Sequence, residues 1–109
     1  MGIACYVRDS NGTLVDSFPV AGATEVNELW LPVIQNKSLK LLEVLVTGGL
    51  TVSAEYHAGV TDELTTLMNS FNPPGEPHPR PGTPADRCLH LIRTLAANPP
   101  NGNTTVYVG

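Results

Sequence analysis

Ile3-Ala4-Cys5-Tyr6-Val7-Arg8-Asp9-Ser10-Asn11-Gly12-Thr13-Leu14-Val15-Asp16-Ser17-Phe18 decides the fold class. In its first six residues Ile3, Cys5 and Val7 alternate with Ala4, Tyr6 and Arg8, the period of a half-buried strand. Asp9 and Gly12 then occupy the first and last places of a four-residue turn. That arrangement suits a type I turn with a glycine bulge at positive φ. Residues 13–18 return as a second strand, so the chain opens on an antiparallel hairpin.

The far end mirrors this start. Asn101-Gly102 is a turn signal, and Thr104-Thr105-Val106-Tyr107-Val108 follows it as a strand. Leu50-Thr51-Val52 reads as a short strand in the middle. Between these lie helical patterns. Val26, Leu29, Trp30, Val33 and Ile34 recur at helical spacing behind Thr24 as a cap, and Pro32 kinks or restarts that helix. Tyr56, Val60, Leu64, Leu67 and Phe71 form a second stripe, firm over residues 61–71 because Gly59 weakens its start. Thr83-Pro84-Ala85-Asp86 supplies a cap, an N1 proline and an N3 acid for a third helix, whose buried stripe is Cys88, Leu91, Ile92 and Leu95. Residues 39–46 are apolar enough for a helix ending at Gly48-Gly49 or for a buried strand, and periodicity leaves both open. The expected fold is α+β: one domain over residues 1–109, a mostly antiparallel sheet, and about three helices packed on one face.

A chain of 109 residues suits one core in two packed layers. Its 15% charged residues are few against the roughly 25% of ordinary soluble domains. Residues 1–75 hold eight acids and three bases, and residues 76–109 hold two acids and three arginines. A net charge of −4 excludes general nucleic-acid binding, which needs cations against phosphates. No apolar run approaches the roughly 18 residues of a membrane span, and no basic region precedes an apolar run at the N-terminus. Cys5 and Cys88 both fall in apolar-periodic segments and read as reduced core thiols. These features point to a cytoplasmic chain.

Six of the ten prolines fall between Pro73 and Pro84. Proline fixes φ, removes a donor and moves the preceding residue out of the helical region, so residues 72–84 are expected to form an exposed, stiff connector in polyproline-II geometry. Pro74-x-x-Pro77 and Pro81-x-x-Pro84 have the spacing that aromatic grooves read. The segment reads either as a contact, through His78 and Arg80, or as an entropy-limiting spacer.

No assembled chemistry is legible. Cys88 and His90 stand two apart on a helix, about 200° around its axis, and cannot share a metal. Ser53 and His57 are four apart, but no strained nucleophile turn surrounds the serine. Gly48-Gly49 lacks the spacing and the lysine of a phosphate loop. Catalytic residues, metal ligands and cofactors are therefore all expected to be none. Glu25, Glu28, Asp62 and Glu63, near helix N-termini, complement helix dipoles and are the acidic candidates for contact with a basic protein partner. A small-ligand pocket between sheet and helices, near Cys5, His57 and Tyr107, is the alternative.

The opening Met1-Gly2-Ile3-Ala4-Cys5-Tyr6-Val7-Arg8-Asp9-Ser10-Asn11-Gly12, the helix segment Asp62-Glu63-Leu64-Thr65-Thr66-Leu67 and the closing Val106-Tyr107-Val108-Gly109 resemble a loose group of small bacterial cytosolic proteins. Some of that group are classed with immunity proteins of polymorphic or secreted toxins. The resemblance implies a non-enzymatic inhibitor with a toxin domain as its protein partner. It brings no catalytic residues, and Trp30 and the proline segment fall outside it.

Overall fold

A computed structural model describes residues 2–72, Gly75 and 78–109. The order is β1 (Ile3–Arg8), β2 (Leu14–Ala21), a composite helix α1 over residues 23–37, α2 (Lys40–Gly48), β3 (Leu50–Thr51), α3 (His57–Phe71), α4 (Pro84–Ala97) and β4 (Thr105–Val108). The strands form one antiparallel sheet in the order β2-β1-β4-β3, which brings the two ends of the chain together at its centre. The fold is α+β, as the strand and helix periods imply.

The opening turn forms as its residues dictate. Gly12 takes φ 81°, its N–H donates to Asp9 O at 3.0 Å, and Asp9 Oδ1 accepts from Asn11 N–H and Thr13 N–H. The register β1 keeps with β2 shifts twice, between Ile3 and Ala4 and between Val7 and Arg8, each time leaving one extra residue on β2. Pro19 is tolerated in β2 because β2 is an edge strand.

α1 is where the sequence pattern and the structure diverge. It begins at Ala23 behind Gly22, with no side-chain cap, and Thr24 lies inside it. Val26–Trp30 form a π turn and Leu31–Lys37 continue as α-helix. Pro32 enters at the first turn of that last stretch, where its missing N–H does least harm. The wider π turn also changes the phase of the helix. Val26, Trp30 and Ile34 are buried, whereas Leu29, assigned to the same stripe by α-helical spacing, is 42% exposed.

Residues 40–46 resolve as helix behind Leu39: α2 buries Leu42 and Leu45 and ends at Gly49, whose N–H donates to Leu45 O at 3.0 Å. It is a fourth helix beside the three expected. α3 starts at His57, four residues before the firm part of its pattern, and accommodates Gly59 against α2: a Cβ there would stand 2.6 Å from Leu41 Cδ1. α4 begins as its motif requires, with Thr83 Oγ1 accepting from Asp86 N–H.

Trp30, Ile34, Leu42, Leu64, Leu91 and Leu95 pack with Cys5, Val7, Val106 and Val108 from the inward sheet face into one core. Of the connector expected over residues 72–84, Pro73, Pro74, Glu76 and Pro77 lie outside the described residues. Residues 78–83 carry no helix or strand. No helix among the described residues is long and apolar enough to cross a membrane.

Candidate functional site

Alternation puts Ile3, Cys5, Val7, Val106 and Val108 against the helices, so Ala4, Tyr6, Arg8, Thr105 and Tyr107 point the other way. The helices pack on the inward face, and no described helix covers the outward one. Its centre is a cross-strand pair: Tyr6 on β1 stands opposite Tyr107 on β4, with ring centroids 6.3 Å apart and planes tilted 34°. Ser17 pairs beside Tyr6 and Thr51 beside Tyr107, so one row runs Ser17, Tyr6, Tyr107, Thr51 across all four strands. Arg8 and Thr105 pair in an adjacent row.

The tyrosines wall three depressions. One of 420 Å³ lies over the face itself, among Tyr6, Arg8, Thr51, Thr105 and Tyr107. A second, of 510 Å³, runs from Tyr6 past Gly2 and Pro19 to Glu25 and Arg87. The third, of 400 Å³, lies between Tyr107 and the Gly48-Gly49 end of α2. Tyr107 reaches that position because glycines make room. Gly49 has φ 80°, and a Cβ there would fall 2.0 Å from Tyr107 Oη. At Gly109 a Cβ would fall 2.6 Å from the same oxygen.

The acids singled out from sequence divide into two kinds. Glu25 pairs with Arg87 on α4. The Arg87 guanidinium also donates to Val20 O at 3.1 Å and Gly82 O at 2.8 Å, tying α1, β2 and the turn before α4 to one side chain. Glu63 supplies the N-terminal cap that α2 lacks locally. Its Oε1 accepts from Leu42 N–H at 3.0 Å and its Oε2 from Leu41 N–H at 3.3 Å. Both carboxylates hold the fold together. Glu28 and Asp62 are exposed, and because α3 starts at His57, Asp62 and Glu63 lie in its second turn and not at its N-terminus. His78 and Arg80 are exposed on the described part of the connector.

The trio Cys5, His57 and Tyr107 does not converge. Cys5 is fully buried on the inward face, Tyr107 is on the outward face, and His57 Nε2 lies 2.8 Å from Leu95 O, bridging α3 and α4. Burial, with the Asp16 charge adding to it, pushes the Cys5 thiol up to about 12. Cys88 is pushed up to about 12 by burial first and by the Glu25 charge second, against an opposing effect of Arg87. Such thiols stay protonated and are poor nucleophiles. His90 is exposed on α4, its ring edge-on to Phe18 with centroids 4.1 Å apart. No group of three or more His, Cys, Asp or Glu converges among the described residues.

The alternation of β1 leaves Tyr6 on its non-core side, whereas Tyr107, expected beside a pocket between sheet and helices, lies on the outward face. Their shared outward phase on strands at opposite ends of the chain was the available signal, but it becomes a site only once β1 and β4 are known to be neighbours. Comparison of the chain with protein-family models, with curated proteins and with solved structures finds no match.

Proposed function

We propose that the chain is a non-enzymatic protein-binding domain whose contact surface is the open sheet face centred on Tyr6 and Tyr107. The observation that supports this reading is the tyrosine pair, a half-buried Tyr6 against an exposed Tyr107, on the two central strands of a sheet whose other face is packed by helices. Tyrosine couples large apolar area to a hydroxyl at low entropic cost, and it is enriched at the centres of protein interfaces. At the finer level we propose an immunity-type protein that binds and inhibits a cognate bacterial toxin in the cytoplasm. Small size and the net charge of −4 support this finer reading.

The test compares the immobilised wild-type chain with its Tyr6→Ala/Tyr107→Ala variant in extracts of the native host. A protein retained by the first and lost by the second is then purified and reconstituted as a defined complex. Retention that is equal for both chains rejects this face as the contact surface. The immunity reading requires in addition that the partner is toxic when expressed alone and harmless when co-expressed with the chain.

A further inference from the structure

The open face also restricts what kind of chain can lie on it. At about 4.8 Å between strands and about 3.4 Å per residue, the face from residue 4 to residue 8 covers roughly 200 Å² across four strands. A stable interface buries about 800 Å² a side, so this patch is too small for a second copy to hold by itself and suits a short extended segment.

Charge narrows the choice. In a chain of net −4, the outward residues Ala4, Tyr6, Arg8, Leu14, Ser17, Pro19, Thr51, Thr105 and Tyr107 include no carboxylate and one cation, Arg8. One arginine is too little for a polyphosphate backbone. The backbone narrows it further. β1 is paired on both sides, by β2 and β4, and β4 is paired by β1 along its length and by β3 at Tyr107 and Val108, so no strand adds between them at the centre of the face. An occupant must bind without a strand's hydrogen bonds.

Proline-rich segments do that. A polyproline-II helix makes no internal hydrogen bonds, presents carbonyl acceptors at three residues per turn, and docks its rings on aromatic side chains. The face offers two tilted tyrosine rings 6.3 Å apart, with Thr51 and Thr105 as further hydroxyls and Arg8 beside them. Over the length of the face, about four or five residues fit at about 3.1 Å each.

We infer that the Tyr6–Tyr107 face docks a proline-rich segment of a partner protein in polyproline-II conformation, the tyrosine rings stacking on prolines and the hydroxyls donating to its carbonyls. This inference rests on the protein-binding reading above and names the partner's contacting chemistry.

The test is titration of the isotope-labelled chain with a capped deca-proline peptide, and with a capped Gly-Ser peptide of equal length, followed by backbone NMR. Saturable shifts confined to residues 4–8, 51 and 105–108 with deca-proline alone are expected, weakened at least tenfold by Tyr6→Ala or Tyr107→Ala. Tyr6→Phe/Tyr107→Phe keeps the rings and is expected to weaken binding only several-fold, which guards against a variant that fails to fold. No shift at millimolar peptide, shifts elsewhere, or equal response to the Gly-Ser peptide each overturn the inference. Concentration-dependent dimerisation that shifts the same amides also overturns it, because a second copy then covers the face. If the alanine variant loses its captured partner while deca-proline never binds, the docking face stands and the proline assignment falls.

Discussion

His57 Nε2 lies 2.8 Å from the carbonyl oxygen of Leu95, joining the first residue of α3 to the last turn of α4. A carbonyl only accepts, so Nε2 carries the proton and the neutral ring is the Nε2–H tautomer. His57→Ala is expected to cost about 1 kcal/mol, the net worth of one such bond. Urea denaturation measures the loss, and the ring ¹⁵N shifts report the tautomer. A pattern with the proton on Nδ1 in neutral solution contradicts the bond.

Three of the acids singled out from the sequence are expected to separate in a stability scan. Glu63→Ala removes a cap of two N–H groups and is expected to cost about 1–2 kcal/mol. Glu28→Ala and Asp62→Ala, on exposed side chains, are expected to stay within about 0.5 kcal/mol. Equal losses at all three positions would remove the distinction between acids that build the fold and acids that face solvent.

The two buried thiols set a pH limit. Their folded values lie near 12 against 9.0 for a free thiol, so the folded state keeps protons that the unfolded chain releases. Stability from this source is complete below pH 9 and declines as pH rises from 9 toward 12. A Cys5→Ala/Cys88→Ala chain is expected to show a shallower decline over that window. The native chain is also expected to react with a thiol reagent only as fast as it opens. Rapid labelling under native conditions would show that the thiols are reached without unfolding.

Gly49→Ala introduces two faults, a side chain at φ 80° and a Cβ 2.0 Å from Tyr107 Oη. The backbone fault alone is worth about 1–3 kcal/mol. In a Tyr107→Ala background the collision disappears and the strain remains, so the double variant is expected to lose less than the two singles combined. Strict additivity in a urea double-mutant cycle would mean that the ring does not rest on Gly49.

What could be read in the chain follows the range of the interactions involved. Asp9 with Gly12, and Thr83 with Pro84, act within four residues, and both give the turn and the helix start that their chemistry requires. Residues 39–46 were undecidable because a short apolar run satisfies a helix and a strand alike, and packing of Leu42 and Leu45 into the core selects the helix. The π turn escaped because one changed hydrogen-bond register leaves the apolar spacing nearly intact, and only Leu29 betrays it. The roles of Glu25 and Glu63 depend on partners 62 residues away and 21 to 22 residues away, beyond any local pattern. The tyrosine face depends likewise on the pairing of β1 with β4.

The sheet's two rims have a consequence for crowded solutions. A growing fibril recruits monomers through long, flat, unbroken strand borders. Here one border, β3, is two residues long, and the other, β2, is interrupted by two bulges and by Pro19. Neither offers a template long enough to seed ordered stacking. The native chain can therefore leave an aromatic surface bare without inviting its neighbours to polymerise along its borders.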